Sequence, residues 1–417
     1  YQVLITDKMM GNVFNTRYSE ASGFFSWDAV WYLLFLGVVP CIYLFARRVD
    51  YGSRRRFLTR TGAALALSLA VALINMQNWP WIDRHAPKIG SLIMPWSYVV
   101  NSVRYYNSER KRNRKEIPLP DARIATDSRD VCVLVIGESA RRANFSLYGY
   151  GRPTNPLLER DSVTALMADA AATYTTAGVK AILDHKPTNK LYEILPNYLY
   201  RNGVDVVWRS ANWGEPPLHI DKHYGTRELK ARYPEADDRY DGILLAGLRD
   251  EILSSDKDKL LIVLHTSTSH GPTYYKKYPA GFEVFKPVCT TVEMSKADPG
   301  ELMNAYDNTI VYTDYLIHSV IEILRDVPRR SCLIFVSDHG ESLGEGNLYM
   351  HGVPMLVAPK EQIEIPFLVW TSDGELKADA GKQVGQYHVF HSILRFLGID
   401  SPVYDESLDI FSPTEKE

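Results

Sequence analysis

The chain has 417 residues, 46% of them hydrophobic, which is enough to bury a large core and to hold more than one structural region. A formal net charge of -3 gives no global electrostatic reason to bind nucleic acid. The four cysteines are sparse for this length: Cys132 and Cys332 sit in apolar strand-like runs, Cys41 in a membrane-like run and Cys289 in a loop, so no disulfide framework is expected and the compartment stays unassigned.

The chain opens on Tyr1 without a visible signal peptide, so earlier membrane spans are expected to precede it, and residues 1–26 read as a loop on the outer face. Two apolar helices are expected within 27–82. Residues 29–46 (AVWYLLFLGVVPCIYLFA) carry no charge and are long enough to cross a bilayer. Residues 61–82 open TGAALALSLAVALI and end in the interfacial NWPWI. Between them lie Arg47, Arg48, Arg54, Arg55, Arg56 and Arg60 against Asp50, which places that loop in the cytoplasm and everything after about residue 80 across the membrane. The competing reading, two buried helices of a soluble protein, makes the basic loop a coincidence.

Residues 83–130 read as a membrane-face helix and a linker. The stretch KIGSLIMPWSYVVNSVRYY (88–106) runs into Arg110, Lys111, Arg112, Arg114 and Lys115. It fits a helix lying on the membrane with its cations toward anionic headgroups, and equally a solvated charge run. EIPLPDARIATDSRD (116–130) is the proline-marked linker, and 131–417 is expected to be one catalytic domain.

Apolar runs recur in that domain at 131–136, 204–208, 259–264, 332–336 and 366–370, separated by helix-like segments such as 301–327. The alternation predicts an α/β fold with a mostly parallel sheet covered on both faces, and a ligand site beyond the carboxyl ends of the strands. Those ends read Gly137-Glu138, then Arg209-Ser210-Ala211-Asn212, then HTSTSHG with His265 and His270, then Ser337-Asp338-His339. An isolated Asp-His pair is a surface turn. Four strand ends carrying Glu, Asn, His and Asp-His make the ligand set for zinc or a similar divalent ion. Glu341, Glu345 and His351 follow on a glycine-punctuated loop. A reacting group is offered by Thr173, Tyr174, Thr175 and Thr176, just before a helix-like run from about Ala177. A threonine there either faces a phosphate at the helix N-terminus or merely caps the helix.

GESARRANFSLYGYGRPTNP (137–156), SHGPTYYKKYP (269–279), FKPVC (285–289), NAYDNT (304–309), SDHGESLGE (337–345) and HGVPMLVAPKEQ (351–362) resemble the phosphoethanolamine transferases of the Gram-negative envelope, a family that includes polymyxin-resistance enzymes. The resemblance implies an alkaline-phosphatase/sulfatase-like periplasmic domain on a transmembrane bundle whose last two helices are present, anchored in the inner membrane. It implies zinc held by Glu138, Thr176, Asp338 and His339, with Thr176 also the nucleophile. Because the family's Ser-Cys-Gly-Thr is replaced by Thr173–Thr176, Thr175 remains the alternative. His270 and His351 match histidines that line the donor headgroup pocket or hold a second zinc, and Asn212 matches a polar position near the phosphate. His265, His388 and His391 match no catalytic position and are expected to serve structure.

The implied reaction moves phosphoethanolamine from phosphatidylethanolamine to lipopolysaccharide (lipid A phosphate, Kdo, heptose or another glycan) through the threonine. The partners implied are membrane lipids, with the protein a monomer and nucleic acid excluded. Relatives' periplasmic disulfides are missing here, since no partner follows Cys289. A sulfatase would need a C/S-x-P-x-R sequence, and none of the cysteines has one. The remaining alternatives are a glycerol-phosphate transferase of the lipoteichoic acid type and an inactive membrane-anchored sensor. The second expects a lost ligand, and none is lost.

Overall fold

The computed structural model describes residues 5–15, 25–47, 52–78, 81, 85, 90, 93, 95–112, 116–372 and 376–411. The chain divides into two compact units, Val3–Lys111 and Arg112–Glu417.

In the first unit, α1 (Trp27–Ala46) and α2 (Arg54–Ile74) have mean hydropathies of 2.1 and 1.8, and none of either apolar window is buried. Ser26 and Ser53 start them, each hydroxyl oxygen accepting a first-turn N–H, from Ala29 and Arg56. α1 widens to π-helical geometry over Leu33–Val38, next to Pro40, which has no N–H to donate. Leu36 and Phe45, 75% and 90% exposed, typify a surface that water would not tolerate and a bilayer would. The reading as buried helices of a soluble protein therefore fails among the described residues. Where the sequence suggests only a loop before the first span, a short helix forms over Asp7–Asn15. α3 (Trp96–Arg112) covers the later part of the expected membrane-face segment. Arg48, Asp50, Trp79, Pro80, Ile82, Arg114 and Lys115 lie outside the described residues.

The second unit is built on an eight-stranded sheet. Its strands are β1 (Asp130–Gly137), β2 (Thr164–Asp169), β3 (Asp205–Ser210), β4 (Lys222–Gly225), β5 (Lys259–His265), β6 (Arg330–Ser337), β7 (Glu364–Thr371) and β8 (Gln383–Gly385). They lie in the order β8-β2-β7-β6-β1-β5-β3-β4. All neighbours pair in parallel except β7, which runs against both β2 and β6. The sheet is thus mostly parallel, and the run at 366–370 is its one reversed strand. β2, β4 and β8 (TALMAD, KHYG, QVG) escape a search for Val/Ile/Leu runs because they lack one.

Alternation along β1 shows why both faces are covered. Cys132, Leu134 and Ile136 pack with Val179 and Ile182 of α4 (Thr175–Leu183) and with Phe390 and Ile393 of the C-terminal helix His388–Phe396. Val131, Val133 and Val135 pack with Ile310, Ile317 and Ile321 of α5 (Pro299–Arg325). Each such side chain contributes roughly 1.5–3 kcal/mol on burial. Cys132 and Cys332 are register partners on β1 and β6, and both are free thiols, as are Cys41 and Cys289. With that core filled from both sides, the loops after β1, β3, β5 and β6 emerge at one edge of the sheet.

Candidate active site and metal centre

Glu138, the first residue past β1, is buried, and its carboxylate is held by short contacts. Oε1 accepts from the Ser139 hydroxyl at 2.7 Å, and Oε2 accepts from Asn212 Nδ2 at 2.7 Å. Asn212 also donates to the Thr266 carbonyl at 2.8 Å, which ties the β3 end to the β5 end. Ser139 takes a left-handed backbone, φ +53°, unusual for a residue with a Cβ and the kind of local strain that clusters at working sites. In that conformation its N–H donates to Asp338 Oδ1 at 3.0 Å.

Asp338 and His339 continue β6. The Asp338 N–H donates to the Gly137 carbonyl at 2.9 Å, which clamps the two strand ends together. His339 Nδ1 lies 2.9 Å from the Gly340 carbonyl, so this nitrogen carries the proton and Nε2 is left as the ligand-facing atom. His339 Nε2 stands 3.3 Å from Asp338 Oδ2 and 3.5 Å from Glu138 Oε1. Burial pushes the His339 imidazole down to about 3, so it is neutral, the form that binds metals. Burial and the adjacent Glu138 hold Asp338 well above the usual carboxylate range. Burial also pushes Glu138 up, but the imidazoles of His339, His270 and His351 bring it below its ordinary value.

The threonine hydroxyl that meets Glu138 and His339 belongs to Thr175, one residue before the Thr176 of the expectation. Thr175 begins α4, and its Oγ1 lies 3.3 Å from both Glu138 Oε2 and His339 Nε2. Thr175 is buried whereas Thr176, one helical step round, is only half-buried. Sequence reading set the helix start at Ala177. It begins two residues sooner, after Tyr174 in extended conformation, and that difference moves the register.

Glu138, Asp338 and His339 bring one ligand atom each to within 4.8 Å of one another, and so do His339, Glu341 and His351. The first group fits a divalent ion. It is fully buried and pairs two carboxylates with a neutral imidazole, and Asp338 Oδ2 has no hydrogen-bond partner among the described residues. Two neighbouring buried carboxylates are costly unless a cation or a proton offsets them.

His270 and His351 gather at the same edge, their ring centroids 5.8 Å apart, with His351 4.2 Å from His339. Burial pushes His270 down to about 4. Sequence reading gave no role to Glu341, whose Oε2 is 2.8 Å from His351 Nδ1 and whose Oε1 accepts from the Tyr274 hydroxyl at 2.5 Å. It missed Gln386, whose Nε2 donates to the Ser337 and Asp338 carbonyls at 2.9 and 2.6 Å while its Oε1 accepts from the Ala171 N–H at 2.9 Å. Glu341 lies within the quoted SDHGES run, so its spacing offered a signal, whereas Gln386 offered none. His265, His388 and His391 make hydrogen bonds within the fold, to Ser210, the Gly385 backbone and the His185 carbonyl.

The sulfatase family model matches residues 130–399, and the phosphoethanolamine transferase EptA/EptB model matches residues 1–110. The chain is 40% identical over 424 residues to phosphoethanolamine transferase EptA of Helicobacter pylori, covering 98% of this chain and 81% of that protein. Its fold is similar to that of the integral membrane lipooligosaccharide phosphoethanolamine transferase A of Neisseria meningitidis, at 28% identity and TM-score 0.85 over 99% of this chain and 83% of that one. It is similar also to the C-terminal periplasmic domain of phosphoethanolamine transferase EptC of Campylobacter jejuni, at 33% identity and TM-score 0.64 over 71% of this chain and 99% of that one. Site, sheet and apolar helices thus agree with sequence similarity along nearly the whole length: the chain belongs to the phosphoethanolamine transferase family, with a sulfatase-like region over residues 130–399, and is an enzyme that transfers phosphoethanolamine.

Proposed function

We propose that the protein transfers phosphoethanolamine from phosphatidylethanolamine to lipopolysaccharide through a covalent intermediate on Thr175, with zinc held by Glu138, Thr175, Asp338 and His339. The observation that carries this reading is the Thr175 hydroxyl, 3.3 Å from both Glu138 and His339 at the N-terminus of α4. Zinc bound there supplies Lewis acidity that lowers the pKa of a coordinated hydroxyl. The N–H groups of the first turn of α4 face a phosphate at Thr175 and favour its negative charge.

Thr175 Oγ1 attacks the donor phosphorus, forming the Oγ1–P bond as the bond to the diacylglycerol oxygen breaks. His270, which is neutral at rest, or His351 takes up the Thr175 hydroxyl proton and gives it to that oxygen, and Glu341 holds the His351 ring by its Nδ1. An acceptor hydroxyl or phosphate oxygen then attacks the same phosphorus and Thr175 regains its hydroxyl. Asn212, fixed against Glu138, stands by to hold the carboxylate in place. The lipooligosaccharide in the name of the Neisseria relative supports a lipopolysaccharide acceptor, and a periplasmic domain in the Campylobacter relative supports catalysis on the periplasmic side of the inner membrane. Residues 131–417 are then the catalytic domain, and the arginine loop between the spans is cytoplasmic. Glycerol-phosphate transfer shares the nucleophile but not the family.

The test replaces each threonine. Thr175→Ala should lower both diacylglycerol release and acceptor modification by about a thousandfold or more, since no covalent intermediate forms. Thr176→Ala should retain most turnover. Peptide mapping after incubation with donor alone should find phosphoethanolamine on Thr175, and finding it on Thr176 would reinstate the later register.

A further inference from the structure

The segment that carries His351 runs on into an apolar projection. Residues 352–359 read GVPMLVAP, and at its tip Leu356 is 96% and Val357 66% exposed, with Met355 beside them at 42%. The base of this loop is firmly held. The Gly352 N–H donates to the Thr173 carbonyl at 2.7 Å, and the Thr173 hydroxyl donates to the Val353 carbonyl at 2.6 Å. The Val353 N–H donates to Gln362 Oε1 at 3.2 Å, and Gln362, fully buried, donates to the Met350 carbonyl and to Ser342, each at 2.9 Å. Pro354 and Pro359 bracket the tip and fix its φ angles, and the Val357 N–H closes a single turn on the Pro354 carbonyl at 2.9 Å. The end of the loop that follows His351 is therefore bonded to the segment leading into Thr175, and the far end is tied back through Gln362.

An apolar tip on a rigid, polar-bonded base is costly in water, and loops on soluble surfaces are ordinarily polar. Three side chains are far too small a patch for a dimer, which needs about 800 Å² from each partner. The same chain carries two helices apolar enough for a bilayer. Lys360, exposed, follows the tip immediately, where a cation meets lipid phosphates while apolar neighbours enter the acyl layer. We propose that residues 352–360 form a wedge that dips into the bilayer surface, with Leu356 and Val357 among the acyl chains and Lys360 at the phosphates. Because its base is bonded to the Thr175 segment, the wedge holds the nucleophile at headgroup height. This last consequence rests on the proposed phospholipid donor, and the insertion itself does not.

The full chain, with Cys41→Ser and a fluorophore on Leu356→Cys, is reconstituted in phosphatidylethanolamine/phosphatidylglycerol vesicles containing lipids spin-labelled near the glycerol end of the acyl chain. Strong quenching is expected at position 356 and none at a control Glu235→Cys. Equal quenching at both positions, or cross-linking between copies through position 356 without quenching, overturns the wedge. In the second arm, Leu356→Glu with Val357→Glu should lower transfer from vesicle phosphatidylethanolamine about tenfold or more while leaving transfer from water-soluble glycerophosphoethanolamine within about twofold. Equal loss on both donors, or on neither, overturns it. Absence of transfer from either donor by the unsubstituted chain would sink the donor reading instead, and the quenching would still decide the insertion.

Discussion

Asp338 does two jobs with its two oxygens. Oδ1 accepts N–H groups from Ser139 and His339 at 3.0 and 2.7 Å and so joins the β1 and β6 ends, while Oδ2 is buried beside Glu138 and His339 with no hydrogen bond among the described residues. The first oxygen shapes the site and the second is free for an ion. Asp338→Asn should therefore drop zinc content, read by elemental analysis of the purified protein, to about a tenth or less of the parent value. Asn keeps the Oδ1 acceptor and removes the charge that burial and Glu138 oppose. The metal-free variant should consequently melt no lower than the metal-free parent, and a lower melting point would mean that both oxygens are structural.

At the scale of elements, α4 decides what Thr175 can reach. Gly178, one turn further on, lies so close to the loop after β6 that a Cβ there would meet the Asp338 carbonyl oxygen at 2.1 Å. Gly178→Ala should cost about 1–3 kcal/mol of stability, as overpacking does, and should weaken zinc binding by pushing α4 off Asp338. Thermal unfolding and zinc titration check the two effects together. The other end of α4 is capped by Asp184, whose carboxyl burial pushes up to about 6 despite the Lys180 ammonium. The native state holds this proton more tightly than the unfolded chain, so its contribution to stability is greatest below about pH 4 and is lost as pH rises through about 6. Asp184→Asn has no such loss. Its melting temperature relative to the parent should rise between pH 4 and pH 7, and a constant difference would contradict the assignment.

Over the whole molecule, the two units follow opposite surface rules. α1 and α2 leave their apolar side chains outward, whereas the sheet buries its own on both faces. The basic residues between the spans include Arg54, Arg55 and Arg56 directly after Ser53, which caps α2. If that loop is cytoplasmic, a cysteine at Ser53, with native cysteines removed, should resist a membrane-impermeant thiol reagent in intact cells and react after permeabilisation. Ready labelling in intact cells would reverse the topology.

Much of this was legible along the chain. Unbroken apolar length marks a span without any tertiary context, and short Val/Ile/Leu runs that alternate with helices mark a covered parallel sheet. The strand-end residues Glu138, Asn212, Asp338 and His339 could be read together because strand ends in such folds share one edge. Three things waited for the tertiary structure. β7 runs antiparallel because its direction depends on how the chain returns between β2 and β6, which its own apolar residues do not encode. Gln386 bridges Ala171 and Asp338 from far along the chain, and no local pattern announces a side chain that works only by reaching across the fold. Thr175 rather than Thr176 meets Glu138 and His339 because consecutive helical residues point about 100° apart, so a helix that starts earlier than expected turns a different hydroxyl into the site.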